Sequence, residues 1–196
     1  MTKPPEIIRP WPSVANRKLG DHRIFSLWET VRQRPDTGTE HLFLGLKAPD
    51  WVNVIAVTEE GRIVLVEQYR HGTDSVTLEI PGGAVDPGET PLDAGVRELE
   101  EETGYIGEQH QIIGCVEPNP AFLDNRCWTV LSLGCRPQGR LSFDPGEQLR
   151  ALVVRLSEFT GLIDRGEIRH ALVVSAHDHL MRGIAGGAPW AAGLRE

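Results

Sequence analysis

Glu98, Glu101 and Glu102 stand at i, i+3 and i+4 in RELEEETG, residues 97–104, a spacing that turns three carboxylates toward one face of a helix. Like charges at that spacing repel, so the stretch needs a reason. Arg97, at i+4 from Glu101, is the only basic residue in the segment and is too little to neutralise three acids. Convergent carboxylates short of cationic partners are what a hard divalent cation requires, because Mg²⁺ and Mn²⁺ prefer oxygen ligands and retain part of their water. The ordinary explanation of a charge run is a solvated helix face. It fits Asp93 and Glu100, which project to a third side and are expected to face water.

The helix that must position these groups is marked at both ends. Thr90 can cap the N-terminus, Pro91 suits the first helical position, and Asp93 completes a T-x-x-D capping box. Gly104 is placed to adopt the left-handed conformation that stops a helix. These signals predict a helix over residues 91–103, with Leu92, Val96, Leu99 and Thr103 as its core stripe.

Elsewhere the chain reads as strands first and helices later. HRIFSLWETVRQ and HLFLGLKA, joined by the turn PDTGTE, predict an antiparallel pair. WVNVIAVT and RIVLVEQYR flank Glu59-Glu60-Gly61 as a hairpin, and SVTLEI runs into an abrupt Pro81-Gly82-Gly83. QIIGCV, CWTVLSLGC and LRALVVRL predict further strands, whereas SEFTGLIDRGEI and HALVVSAHDHLMRGI carry helical spacing. AGGAPWAAG near the end reads as a loose tail. The whole is an α+β pattern.

Composition bounds the function classes. A chain of 196 residues, 40% hydrophobic and 24% charged, has enough apolar residues for a substantial core. The net charge of −8 argues against a nucleic-acid binder, which would rest on a Lys/Arg surface. No stretch approaches the ~18 apolar residues of a membrane span, and the N-terminus lacks the apolar run of a signal peptide, so a cytoplasmic protein is expected. Cys115, Cys127 and Cys135 are odd in number and lack CxxC spacing, which predicts buried thiols rather than a zinc site or disulfide framework. His177 and His179, at i and i+2, do not share a helix face and are expected to be solvated rather than metal-binding.

Residues 83–105, GAVDPGETPLDAGVRELEEETGY, resemble the signature of the Nudix hydrolases, G-x5-E-x7-R-E-U-x-E-E-x-G-U with U a bulky aliphatic residue. Gly83, Glu89, Arg97, Glu98, Leu99, Glu101, Glu102 and Gly104 match; Tyr105 departs, an aromatic at a packing position. The resemblance implies a Nudix-type α/β/α sandwich with a mixed central sheet, and hydrolysis of a nucleoside diphosphate linked to another moiety. It implies Glu98, Glu101 and Glu102 as metal ligands for Mg²⁺, with Mn²⁺ as a substitute, and the Gly82 carbonyl as a backbone ligand. Arg97 would orient the carboxylates, its planar fork suiting two-point contact. Glu89 is either a hydrogen-bonding or water-mediated contributor or a charge favoured at a helix entry. A pyrophosphate resists attack because its oxygens are already anionic, and a divalent ion that neutralises them and activates water meets both obstacles.

Outside the box, LVEQYRHG, LEIPGG and Pro120 resemble the ADP-ribose and nucleoside-diphosphate-sugar pyrophosphatase branch. That likeness implies Arg70 as a phosphate contact and Glu79 as a residue near the nucleoside or its ribose. Arg70 as an edge-strand cation and Glu79 as a structural acid remain the alternatives. Pro120-Ala121 stands where relatives often have Pro-Gly, which leaves the terminal sugar open. Trp28 and Trp51 either stack on a base or pack. A second DPGE, residues 144–147, ends in Glu147, which the same likeness implies as catalytic base or additional metal ligand, with an ordinary turn glutamate as the alternative. The expected catalytic set is Glu147, Glu101 and Arg97. Residues 1–48 are expected to form a strand-rich extension that builds a homodimer, 49–185 the Nudix domain and 186–196 the tail. The expected substrate is a small nucleoside diphosphate derivative, with no nucleic-acid or membrane partner. A Nudix hydrolase of dinucleoside polyphosphates, dinucleotide cofactors or oxidised nucleotides is the alternative, and a nucleotide-sugar sensor without turnover lies further off.

Overall fold

In the computed structural model, residues 8–143, 146 and 148–194 are described, and the chain divides into two compact units. The first comprises Met1–Pro49 with Asn119–Asn125, the second Asp50–Pro118 with Arg126–Glu196. Each is built around its own sheet.

In the first unit, β1 (Ser13–His22), β2 (Phe25–Gln33) and β3 (Glu40–Lys47) form an antiparallel meander. The expected turn lies between β2 and β3, where Gly38 takes φ 72° and its N–H donates to the Arg34 carbonyl. Strand β1 was not expected, since SVANRKLGDH is almost wholly exposed and shows no apolar alternation. It forms nevertheless because β2 offers it a long antiparallel partner. Residues 119–125 join this unit rather than the second because the Leu46 N–H donates to the Phe122 carbonyl and the Ala48 N–H to Asp124.

In the second unit, β4 (Trp51–Thr58) and β5 (Arg62–Arg70) meet as the expected hairpin, with Gly61 at φ 73° in the turn. They pair directly only at Ala56–Val64 and Val57–Ile63, then diverge. The segment β6 (Ser75–Glu79) to β7 (Gly82–Ala84) fills the gap: β6 pairs with β5, β7 with β4, and the Val54 N–H donates to the Pro81 carbonyl. The break at Pro81-Gly82-Gly83 is therefore not the end of the sheet but the step from one strand to the other. Strands β8 (Gln109–Val116), β9 (Cys127–Cys135) and β10 (Leu149–Arg155) complete the order β10-β5-β4-β9-β8. The β4–β9 pair is parallel and the rest antiparallel, so the sheet is mixed.

Alternate residues of β4 face opposite helical layers. Val52, Val54 and Ala56 pack with Ala94 and Leu99 of α1 (Pro91–Thr103). Ile55 and Val57 pack with Phe159 and Leu162 of α2 (Leu156–Asp164) and with Val173, Ala176 and Leu180 of α3 (Ala171–Ala185). The fold is α+β, a mixed sheet with α1 on one face and α2 and α3 on the other, the α/β/α layering that the resemblance implies. Helix α1 has the predicted bounds: Thr90 accepts from the Asp93 N–H, and Gly104 caps at φ 68°. It lies close to the sheet because Gly95 presents no side chain; a Cβ there would meet Val130 Cγ2 at 2.9 Å. No helix of the described residues is long and apolar enough to cross a membrane.

Four readings are corrected. The segment AGGAPWAAG, residues 185–193, is not loose: Pro189–Gly193 forms a 3₁₀ turn, Leu194 after it is buried, and Trp190 packs where a Gly183 side chain would be. His177 and His179 are half-buried rather than solvated, because they bond Thr160 and Thr129 with their ring nitrogens; burial lowers both pKa values. Glu100 is also half-buried, lying against Gly139 and accepting from the Arg140 N–H at 3.2 Å. Asp93 faces water as expected. Of the three thiols expected to be buried, Cys127 and Cys135 are, but Cys115 is exposed on β8; burial pushes Cys127 up to about 12, far from a metal-binding thiolate.

Candidate active site

The carboxylates of α1 meet the backbone of β7 at the point where β4 and β5 part. Glu102, only 4% exposed, accepts from the Gly82 N–H at 2.9 Å. Glu98 lies over Gly83, and a Cβ at Gly83 would stand 2.2 Å from Glu98 Oε1. A Cβ at Gly82 would come 2.2 Å from the Val52 carbonyl oxygen. The two glycines are therefore required for the helix carboxylates and the sheet to approach this closely.

Arg97 is the centre of the charge arrangement. Its Nη1 donates to Glu98 at 2.8 Å and to Glu101 at 3.1 Å, while Nε and Nη2 grip Glu89 at 3.0 and 2.9 Å. Nη2 also reaches the Ala84 carbonyl, so one guanidinium ties the loop before the helix to the acids on it. Hydrogen bonding to Glu89 is the largest influence on Arg97; burial opposes it, Glu98 and Glu101 add to it, and its pKa is raised. The same bond is the chief reason that Glu89 is held below the ordinary carboxylate value, with the Asp86 N–H assisting against slight burial. The sequence count of cations understated Arg97, since a fork with five donors serves three acids at once.

All the donors gathered here are oxygens, the chemistry that suits Mg²⁺ or Mn²⁺. Among the described residues, no three His, Cys, Asp or Glu side chains already stand together as a metal-holding group. Arg97 engages Glu98 Oε1 and Glu101 Oε2, and the Gly82 N–H engages Glu102 Oε2. The donor set fits the cation in kind, with Glu98 and Glu101 sharing one nitrogen of Arg97.

A second charged group lies on the strand step. Glu79, 2% exposed on β6, receives Arg70 Nε and Nη2 of β5, each at 2.8 Å, and the Thr77 hydroxyl at 2.6 Å. Burial pushes its carboxyl up, yet the bonds from Arg70 and Thr77 outweigh burial and hold it below the usual range. His170 Nδ1 stands 3.9 Å from Glu79 Oε2. Thr77 was legible in principle, two residues from Glu79 on the same strand face; His170 had no local signal.

The remaining expected residues are dispersed. Trp51 is half-buried at the start of β4, opposite Ala84. Trp28 and Pro120 belong to the other unit, where Lys47 Nζ lies 4.3 Å over the Trp28 ring and Pro120 is exposed in a turn. Glu147 lies outside the described residues. Tyr105, the departure from the signature, packs against the core under α1.

Residues 48–176 match the family described as NUDIX domain. An ADP-ribose pyrophosphatase of Bacillus subtilis (strain 168) is 33% identical over 137 residues, 69% of this chain and 74% of the relative. A methanol dehydrogenase activator of Bacillus methanolicus is 33% identical over 136 residues, with the same coverage. The crystal structure of an ADP compounds hydrolase superposes with a TM-score of 0.81 over 92% of this chain and 97% of that one, at 20% identity, a likeness of fold.

The Arg97 clamp makes a pH prediction. Glu89 has a folded pKa below 4.5, so its contribution to stability is complete above that value and is lost as pH falls through the depressed pKa. Urea unfolding between about pH 7 and about pH 3 should therefore show a smaller loss of stability for Glu89→Gln than for wild type. Equal losses would mean that the clamp contributes nothing to folding.

Proposed function

The chain belongs to the Nudix family and is a Nudix hydrolase, and from that premise we propose that it hydrolyses the pyrophosphate bond of ADP-ribose or a related nucleoside diphosphate sugar, giving a nucleoside monophosphate and a sugar phosphate. The observation that carries the reading is the approach of Glu98 and Glu102 to the glycines of β7, with Arg97 among the acids. The substrate class rests on the similarity to the ADP-ribose pyrophosphatase over two thirds of the chain.

Family members work with divalent cations, and here Glu98, Glu101, Glu102 and the Gly82 carbonyl would hold Mg²⁺, or Mn²⁺ in its place. When bound, the ion neutralises the diphosphate and lowers the pKa of water. The chain's own groups do the rest. Arg97 keeps Glu98 and Glu101 oriented through one bond to each from its shared Nη1, while its other edge grips Glu89 at two points. Arg70, with its side chain 41% exposed while Glu79 anchors its inner edge, presents positive charge to a phosphate. Trp51 offers an aromatic face to a base. Glu147 takes the proton from the attacking water or completes the ligand set; a carboxylate engaged with metal is a poor base, which favours one outside α1.

The three-stranded sheet of the first unit carries exposed Val14, Leu42, Phe43 and Leu44, apolar surface that we read as a homodimer interface. Light scattering should give twice the mass of one chain; the mass of a single chain overturns that reading.

Turnover is checked by phosphorus release, after phosphatase treatment, from a panel of nucleotide derivatives with Mg²⁺, Mn²⁺ or EDTA. Metal-dependent cleavage should be greatest for a nucleoside diphosphate sugar and absent in EDTA. Preference for a dinucleoside polyphosphate would replace the substrate, and no metal-dependent activity on any member would leave a sensor. Glu147→Gln should lower kcat by about 10²–10⁴ with KM little changed, the size of a general-base contribution, and near-normal turnover removes Glu147 from the reaction.

A further inference from the structure

We propose that His170 is a positioning residue of the diphosphate site, closing on Glu79 as an N–H donor when bound phosphate engages Arg70. The inference rests on the reading of Arg70 as a phosphate contact and adds a residue to it.

Glu79 is a carboxylate in the protein interior, tolerable there only while its charge is met by donors. Among the described residues, Oε1 accepts from Arg70 Nε and the Thr77 hydroxyl, and Oε2 accepts from Arg70 Nη2. Arg70 is thus the cation that balances Glu79, and it is also the member of the pair that reaches solvent. A phosphate that attracts the guanidinium weakens its hold on Glu79. The buried carboxylate would then oppose substrate binding unless another donor replaced what Arg70 withdrew.

His170 stands where such a donor is needed. Its Nδ1 is buried and has no hydrogen-bond partner among the described residues, an uncommon state for a buried ring nitrogen. It faces Oε2, the oxygen with fewer donors, from 3.9 Å, about 1 Å beyond hydrogen-bond distance. The backbone of His170 is fixed at the start of α3, where its carbonyl accepts from the Val173 and Val174 N–H groups, and its side chain plays no part in capping. A small side-chain rotation closes the gap without moving the helix. As the N–H tautomer at Nδ1, His170 then holds Oε2, and Glu79 keeps its orientation while Arg70 serves the phosphate.

The test is steady-state hydrolysis of ADP-ribose by wild type, His170→Ala and His170→Asn. An asparagine amide places its nitrogen close to where Nδ1 stands, so it keeps the donor and loses the ring. His170→Ala should raise KM about tenfold, the size of one hydrogen bond to a charged group, with kcat within about twofold, and His170→Asn should restore KM to within about threefold of wild type. His170→Phe, which keeps the ring's bulk without a donor, should behave as His170→Ala and covers the case in which alanine fails to fold. Unchanged KM in the donor-free variants, or equal losses with asparagine, overturns the proposal. Wild-type protein that turns over no nucleoside diphosphate sugar overturns the functional reading and this inference together, whereas wild-type turnover with unchanged KM in the variants overturns the inference alone.

Discussion

Arg97 donates to Glu89, Glu98 and Glu101 at once, and the local architecture depends on that contact. Acids at i, i+3 and i+4 repel, and a helix carrying them would be weakened without compensation. A lysine could not substitute for it, because a single ammonium lacks the planar fork that meets Glu89 in two-point fashion while also reaching Glu98 and Glu101. By engaging the Ala84 carbonyl as well, Arg97 fastens the loop leading into α1 to the helix itself. Glu89, Glu98 and Glu101 are thereby oriented around one guanidinium.

The second constraint is the parting of β4 and β5. Because they pair at only two positions, the chain from Ser75 to Ala84 can enter between them and complete both strands' hydrogen bonding. That insertion brings Glu79 inside on β6 and Gly82 and Gly83 against α1 on β7. The absence of side chains at 82 and 83 lets Glu98 and Glu102 descend onto the backbone, and Gly95 lets the helix follow. Helix, strand step and charges are one arrangement: a side chain at any of these three glycines would push its parts away from one another.

Much of this was legible in the sequence where the signals are local. Thr90, Pro91, Asp93 and Gly104 fixed the ends of α1 because capping depends on residues within one turn. The hairpin at Glu59-Glu60-Gly61 was legible for the same reason. What escaped depended on contacts between segments distant in the chain. Strand β1 has no apolar alternation and exists through its partner; β7 has three residues, two of them glycine, and is a strand only because β4 is beside it. Glu100 looked solvated from the helical wheel, yet the loop bearing Gly139 and Arg140 covers it. His170 carries no pattern at all, and its relation to Glu79 exists only in three dimensions. The tail looked loose from its small residues, but Trp190 and Leu194 had the Gly183 gap and the α3 core to fill.

The central claim is that Glu98, Glu101 and Glu102 act together as the seat of a divalent cation. Mn²⁺ titration followed by electron paramagnetic resonance, at fixed ionic strength, tests it on wild type and on Glu98→Gln, Glu101→Gln and Glu102→Gln. The account predicts saturable binding in wild type and a loss of affinity of at least about tenfold in each variant, as expected when a carboxylate oxygen is removed from the ligand set. Wild-type affinity in all three variants would contradict it.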